Sequence, residues 1–146
     1  MVAIVSVGYE GWTPEGFVDA LVRAEVDLLV DVRLNAISRK RGFSKRGLAA
    51  ALAGAGIGYR HEPSLGNPVD NRDAFRRGDA AARERVRAIV GGPASATVDR
   101  LAADVASGGV AVLCVERDAS ICHRTVVIDA LRRRLPALEV VEVQPP

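Results

Sequence analysis

The chain has 146 residues, of which 49% are hydrophobic and 26% charged, and its formal net charge is +2. This length suits one α/β domain that buries about two-thirds of its unfolded surface, and the composition excludes a disordered chain. The small net charge gives no overall basic field that would indicate a nucleic-acid or membrane partner. Residues 1–12 lack a basic leader segment and the chain has only two cysteines. We therefore expect one domain over residues 1–146, cytoplasmic, with reduced thiols and no membrane association.

The first half of the chain predicts a βαβ unit followed by a third strand. Residues 3–7 are apolar and β-branched, as in a buried strand. Thr13-Pro14-Glu15 combines a capping hydroxyl, proline at the first helical position and an acid, and predicts a helix to about residue 25. A second strand is expected over residues 28–32. A short helix over residues 47–55 and a strand over residues 57–61 follow.

The second half continues the alternation of helices and strands. Residues 72–90 predict a charged helix that is interrupted near Gly78, and a further helix is expected over residues 95–106. A fourth strand over residues 110–115 leads into a helix that opens at residue 122, and residues 138–143 form a last strand at an edge or next to the fourth. The pattern predicts a three-layer α/β/α sandwich, Rossmann-like, on a mostly parallel sheet of about five strands. It leaves the strand order open.

Polar side chains follow the first four predicted strands. They are Tyr9 and Glu10 after the first strand, Asp31 and Arg33 at the second, His61 and Glu62 at the third, and Cys114, Glu116 and the turn Cys122-His123-Arg124 at the fourth. Because the carboxyl ends of parallel strands meet at one edge, where ligands bind, we expect these groups to lie around one crevice.

The two cysteines receive different interpretations. Cys114 alternates with apolar residues in a buried strand and is expected to be a core residue. Cys122 is expected in the first turn of a helix, where unpaired N–H groups and the helix dipole lower the pKa of a thiol. His123 and Arg124 place two cations in the same turn, which indicates a negative partner nearby, either an acid such as Glu116 or a bound anion.

Several residues keep two interpretations. His61 is either a structural hydrogen-bonding group or a ligand or base. Asp31 and Arg33 form an ion pair, or Asp31 orients a base while Arg33 binds an anion. The basic loop over residues 39–46 is either solvated or contacts phosphate, with Phe43 stacking on a base.

Named signatures of phosphate-binding loops, dinucleotide sites, cysteine phosphatases and serine hydrolases are absent. A zinc site from Cys114, Cys122, His123 and His61 is conceivable, but the Cys-x7-Cys spacing is not a usual one. We therefore expect no metal and no cofactor.

Five segments of the chain together resemble a bacterial and archaeal domain-of-unknown-function family, number four hundred and eighty-eight. They are VGYEG at 7–11, LLVDVR at 28–33, GFS at 42–44, GIGYRHEPSLG at 56–66 and LCVERDASICHR at 113–124. The resemblance runs from about Ser6 to Val143 and implies a compact α/β sandwich. It brings no activity with it.

The leading hypothesis is an enzyme that acts on a phosphorylated, nucleotide or nucleic-acid substrate at the carboxyl edge of the sheet. Cys122, His123 and Glu116 are the expected reacting groups. The expected substrate-binding residues are Tyr9, Glu10, Asp31, Arg33, Arg39, His61 and Arg124. The alternatives are a non-catalytic nucleic-acid-binding module, a thiol or sulfur-transfer protein that uses Cys122, and a domain that senses a small anion.

Overall fold

The computed structural model describes residues 2–146, and its centre is a five-stranded sheet with the order β3-β2-β4-β1-β5. All neighbouring strands are parallel. The strands are β1 (Ala3–Gly8), β2 (Leu28–Asp31), β3 (Gly58–His61), β4 (Val110–Cys114) and β5 (Glu139–Glu142). Because β4 is central and its five residues are all buried, its carboxyl end opens into the middle of the sheet edge.

Within the described residues 2–146, six α-helices cover the two faces of the sheet. They are α1 (Pro14–Arg23), α2 (Lys45–Gly54), α3 (Arg72–Arg76), α4 (Ala80–Val90), α5 (Ser95–Ser107) and α6 (Arg124–Arg134). Buried side chains of α1 and α2 form one core with one face of the sheet, and those of α3 to α6 form a second core with the opposite face. The predicted three-layer α/β/α sandwich is therefore confirmed.

The structure refines three of the predicted elements. The expected helix over 72–90 is two helices, separated at Gly78, whose φ of +80° is one that glycine adopts readily. The last strand lies at an edge, as expected, but its neighbour is β1 rather than β4. Helix α6 begins at Arg124, so Cys122 precedes the helix in extended backbone.

Successive side chains of a strand point to opposite faces of the sheet, and this alternation decides on which face each side chain at a strand end lies. In β4, Val110, Val112 and Cys114 belong to the core beneath α3 to α6, while Ala111 and Leu113 belong to the core beneath α1 and α2. Residues paired in register on neighbouring strands share a face, so Asp31 faces the same side as its partner Leu113, and Cys114, one residue further along β4, faces the opposite side.

The end of β1 lies in close contact with the backbone of the loop that follows β4. A Cβ atom on Gly8 would lie 1.8 Å from the carbonyl oxygen of Glu116, so only glycine fits at this position. Within residues 2–146, none of the helices has the length and apolar character needed to cross a lipid bilayer.

Candidate functional site

Two polar clusters lie at the carboxyl edge of the sheet, one on each face. The first contains Asp31 and Arg33 beneath α1 and α2, and the second contains Cys114 and His123 beneath α3 to α6. Of the strand-end residues that the sequence predicted to surround one crevice, Arg33, Cys114, Glu116 and His123 border one cavity, whereas Asp31 lies in the first cluster.

The first cluster is a buried ion pair. The Asp31 carboxylate accepts hydrogen bonds from Arg33 Nε at 2.9 Å, from Arg33 Nη2 at 2.7 Å and from the Arg33 backbone N–H at 3.1 Å. The Tyr59 hydroxyl donates a fourth bond of 2.5 Å to the same carboxylate. Asp31 is fully buried and Arg33 is 3% exposed.

Burial and the neighbouring Asp31 carboxylate shift the pKa values of Arg33 and Tyr59. Burial lowers the pKa of Arg33, but the contacts with Asp31 outweigh it and raise the pKa above its ordinary value. Burial, together with the bond to Asp31, raises the pKa of Tyr59 well above its ordinary value. Both groups therefore stay protonated, and the ion pair is a structural unit of the edge.

Aromatic side chains enclose the guanidinium group of Arg33. Its Cζ lies 5.3 Å from the ring centroid of Tyr9, and Arg33 Nη1 donates to the carbonyl of Phe43 at 2.7 Å. Tyr9 stacks on Phe43 with the centroids 4.8 Å apart and donates its hydroxyl to Ser38 at 2.8 Å. Phe43 is fully buried, so the suggestion that it stacks on a base is wrong.

The second cluster faces a cavity of about 90 Å³. Its lining contains three arginines, two asparagines and the Cys114–Glu116 segment: Arg33, Leu34, Asn35, Ile37, Asn67, Arg72, Arg76, Cys114, Val115, Glu116, Ile121 and His123. Asp31 and Phe43 engage the donors of Arg33, and Glu116 engages Nε of Arg76, so Arg72 is the arginine of this lining that has no ion-pair partner within residues 2–146.

Cys114 and His123 form a hydrogen-bonded pair at the wall of the cavity. His123 Nε2 donates to the carbonyl of Val32 at 2.8 Å, which leaves Nδ1 3.4 Å from the Cys114 sulfur as an acceptor for its thiol proton. Cys114 was expected to be a core residue. It is buried as predicted, at 4% exposure, but it also lines the cavity.

Glu116 and Arg76 form an ion pair beside this cysteine. Arg76 Nε donates to Glu116 Oε1 at 2.9 Å, and Glu116 Oε2 lies 3.9 Å from the Cys114 sulfur. Burial raises the pKa of Glu116, but backbone hydrogen bonding and Arg76 outweigh it and hold the pKa below its ordinary value. Glu116 is therefore a carboxylate that both balances Arg76 and contacts the thiol.

The structure overturns the expected activation of Cys122. Its backbone N–H donates to Ala119 and the residue lies before α6 in extended backbone, so it is not part of the first helical turn. The residue is 1% exposed, and burial raises the pKa of its thiol well above the ordinary value. The thiol that reaches the cavity is that of Cys114.

His123 and Arg124 are both buried, but only His123 faces the cavity. Burial lowers the pKa of His123, whereas its contacts with Cys122 and the Val32 carbonyl outweigh it and raise the pKa. Arg124 is fully buried and donates to Ser6 Oγ at 2.8 Å and to the carbonyl of Glu116 at 2.6 Å. This placement contradicts the expectation that Arg124 contacts an anionic ligand, because its side chain braces β1 and the loop after β4.

The remaining predicted residues lie outside the cavity. His61 Nε2 donates to the carbonyl of Arg33 at 2.7 Å, which is the structural alternative of the sequence interpretation. Glu10 is exposed and accepts a bond of 3.2 Å from the backbone N–H of Arg117. Arg39 is exposed on the loop between β2 and α2.

Sequence reasoning missed Tyr59, Arg72 and Arg76 as members of these clusters. Tyr59 lies inside β3 rather than at its end, and it meets Asp31 only because β3 pairs with β2. Arg76 is 40 residues from Glu116 in the chain, so no local pattern joins them.

No curated protein and no solved structure matches the chain. The family model described as Domain of unknown function DUF488 matches residues 13–131, a span that includes Asp31, Cys114, Glu116 and His123. That span is most of the 146 residues, and the protein belongs to this family.

Proposed function

We propose that the protein is an enzyme that binds the phosphate group of a phosphorylated substrate in the cavity and attacks it with Cys114. The observation that carries the proposal is that a thiol, its hydrogen-bonded imidazole and the guanidinium groups of Arg72 and Arg76 border one cavity. A nucleophile, a base in contact with it and cations for the anion are the parts that such a reaction needs.

The size of the cavity supports a small anionic group as its occupant. Its volume of about 90 Å³ is well below the roughly 300–1,000 Å³ of sites that enclose a whole drug-sized ligand. A phosphate group enters such a space while the rest of the substrate stays outside. Ile37, which lines the cavity and is 79% exposed, offers an apolar contact for that outer part.

The reaction follows from the hydrogen bonds of the pair. His123 Nδ1 accepts the thiol proton of Cys114, and the thiolate sulfur forms a bond to phosphorus while the bond to the leaving oxygen breaks. The imidazolium returns the proton to that oxygen, and a water molecule then releases phosphate from the sulfur. Arg72 balances the charge of the phosphoryl group in both steps, and Arg76, whose Nε is held by Glu116, offers its remaining N–H groups as donors. A reduced thiol is required, which agrees with the cytoplasmic location expected from the sequence.

The test is turnover of a panel of small phosphate monoesters by the full-length protein under reducing conditions. We expect Cys114→Ser to lower kcat about 10³-fold or more, because it removes the nucleophile. Arg72→Ala is expected to raise KM about 10- to 100-fold, the equivalent of one charge-assisted hydrogen bond. Arg77→Ala is the matched control, because Arg77 follows α3 without lining the cavity.

Two results would contradict the proposal. One is turnover that is unchanged in Cys114→Ser. The other is the absence of both turnover of the panel and binding of inorganic phosphate by the wild-type protein.

A second candidate function is nucleic-acid binding by the loop between β2 and α2 and the start of α2. Arg39, Arg41, Lys45 and Arg46 are all exposed there, and none of them has an ion-pair partner within residues 2–146. Binding through these cations requires an affinity for single- or double-stranded DNA or RNA that falls steeply with salt. Loss of that affinity in a variant with Arg39 and Arg41 replaced by alanine would support this function, and binding that does not respond to salt would exclude it.

A further inference from the structure

Cys122 is a buried thiol for which the proposed reaction has no use. Its sulfur, the sulfur of Cys114 and one ring nitrogen of His123 all lie within 4.8 Å of one another, and the three residues are buried. In a tetrahedral zinc site the ligand atoms are separated by about 3.5–3.8 Å, as follows from zinc–sulfur and zinc–nitrogen bonds of about 2.3 and 2.0 Å. The distance of 3.4 Å between Cys114 Sγ and His123 Nδ1 is close to this spacing.

The orientation of His123 is a second, independent indication of metal binding. Its Nε2–H donates to the carbonyl of Val32, so the lone pair of Nδ1 is directed to the thiols. Metal-binding histidines characteristically donate their other ring N–H to a carbonyl or carboxylate in this way. Val32 is itself held by a backbone bond from its N–H to the carbonyl of Leu113, which fixes the acceptor.

We propose that Cys114, Cys122 and His123 bind one zinc ion, with its fourth position open to the cavity. Two thiolates and an imidazole favour zinc over magnesium or calcium, which prefer oxygen ligands. Cys114 and His123 border the cavity, so water or an anion reaches the fourth position from there. Binding displaces the two thiol protons.

The proposed ligand set omits His61, which the zinc site considered in the sequence analysis included. With this proposal we revise the expectation that the protein binds no metal. His61 Nε2 instead donates to the carbonyl of Arg33. Glu116 lies beside the set, with Oε2 at 3.9 Å from the Cys114 sulfur.

Zinc binding and thiol attack exclude each other, because the Cys114 sulfur cannot both coordinate the ion and attack phosphorus. The metal site nevertheless rests on the three ligand atoms alone and does not depend on the proposed reaction. Its test therefore uses no substrate.

The test is titration of the full-length, reduced, chelator-treated protein with Co²⁺ as a spectroscopic probe, followed by displacement with Zn²⁺. We expect a thiolate-to-cobalt absorption band that saturates at one ion per chain and is lost on addition of zinc. Cys122→Ser is expected to weaken Zn²⁺ binding about 100-fold or more, because it removes one of three ligands. His61→Gln is the matched control, with unchanged binding, since His61 lies outside the set.

Urea unfolding of each variant establishes that it is folded before its affinity is interpreted. The proposal is overturned if the wild-type protein gives no thiolate–cobalt band, or if Cys122→Ser binds zinc as tightly as the wild type. If zinc binds while the chelator-treated, zinc-free protein does not turn over the phosphate-ester panel, the metal site stands and the proposed reaction fails. If the panel is turned over and zinc does not bind, the reaction stands and the metal site fails.

Discussion

Replacing Asp31 by asparagine leaves the guanidinium charge of Arg33 buried without a counter-charge. Arg33 is only 3% exposed, so water cannot take the place of the carboxylate that accepts its Nε and Nη2 bonds. Breaking one partner out of a buried pair costs about 3–5 kcal/mol. Against the roughly 5–15 kcal/mol that stabilises a typical folded protein, this is a large loss. We therefore expect Asp31→Asn to unfold at a clearly lower urea concentration, with an unchanged dependence of the unfolding free energy on urea.

A double-mutant cycle makes this expectation specific to the pair. Arg33→Met alone leaves the Asp31 carboxylate buried without its cation and is expected to cost a similar amount. The double variant Asp31→Asn with Arg33→Met removes both charges, so its loss is expected to be smaller than the sum of the two single losses by about 2 kcal/mol or more. Tyr59→Phe is the control, because it removes one hydrogen bond to Asp31 and leaves both charges in place, at a cost of about 1–3 kcal/mol. Losses that simply add in the double variant would refute this account of the ion pair.

Three further changes test other parts of the structure. Gly8→Ala is expected to lower the free energy of unfolding by about 1–3 kcal/mol or more in urea titrations, because its Cβ would meet the carbonyl of Glu116; an alanine variant as stable as the wild type would contradict the close approach. Arg124→Met is expected to cost about 1–3 kcal/mol for each carbonyl left without a donor, and calorimetry showing no loss would contradict its bracing role. Iodoacetamide is expected to modify Cys114 before Cys122 in the native protein, because only Cys114 lines the cavity, and peptide mapping that finds the reverse order would disprove this assignment.

The elements of the fold could be predicted largely from local signals. The β-branched runs of β1 and β4, the capping residues Thr13 and Pro14 of α1, and the interruption at Gly78 all depend on neighbours in the chain. The parallel arrangement follows because a helix between two strands returns the chain to the same edge. These signals do not contain the strand order, since it depends on which strands pair at a distance.

The candidate site could be predicted only in part. The sequence predicts Glu116 and His123 as reacting groups, and both border the cavity. The sequence favours Cys122 as the thiol of the site, whereas the structure places Cys114 at the cavity, because Cys122 is a buried residue in extended backbone rather than part of the first turn of a helix. The strand ends do not all serve one crevice, because Asp31 shares a face with its register partner Leu113, whereas Cys114, one residue further along β4, projects to the opposite face.

The sequence by itself determined that strands and helices alternate, that the strands run parallel, and that reactive side chains gather at their carboxyl ends. Only the tertiary structure decided that Asp31 and Arg33 close on each other beneath α1 and α2, while Cys114 and His123 meet Arg76 beneath α3 to α6. The physical reason is the two-residue period of a strand. This period shows which side chains of one strand lie on the same face. The helices that cover that face are decided by the pairing and packing of segments far apart in the chain.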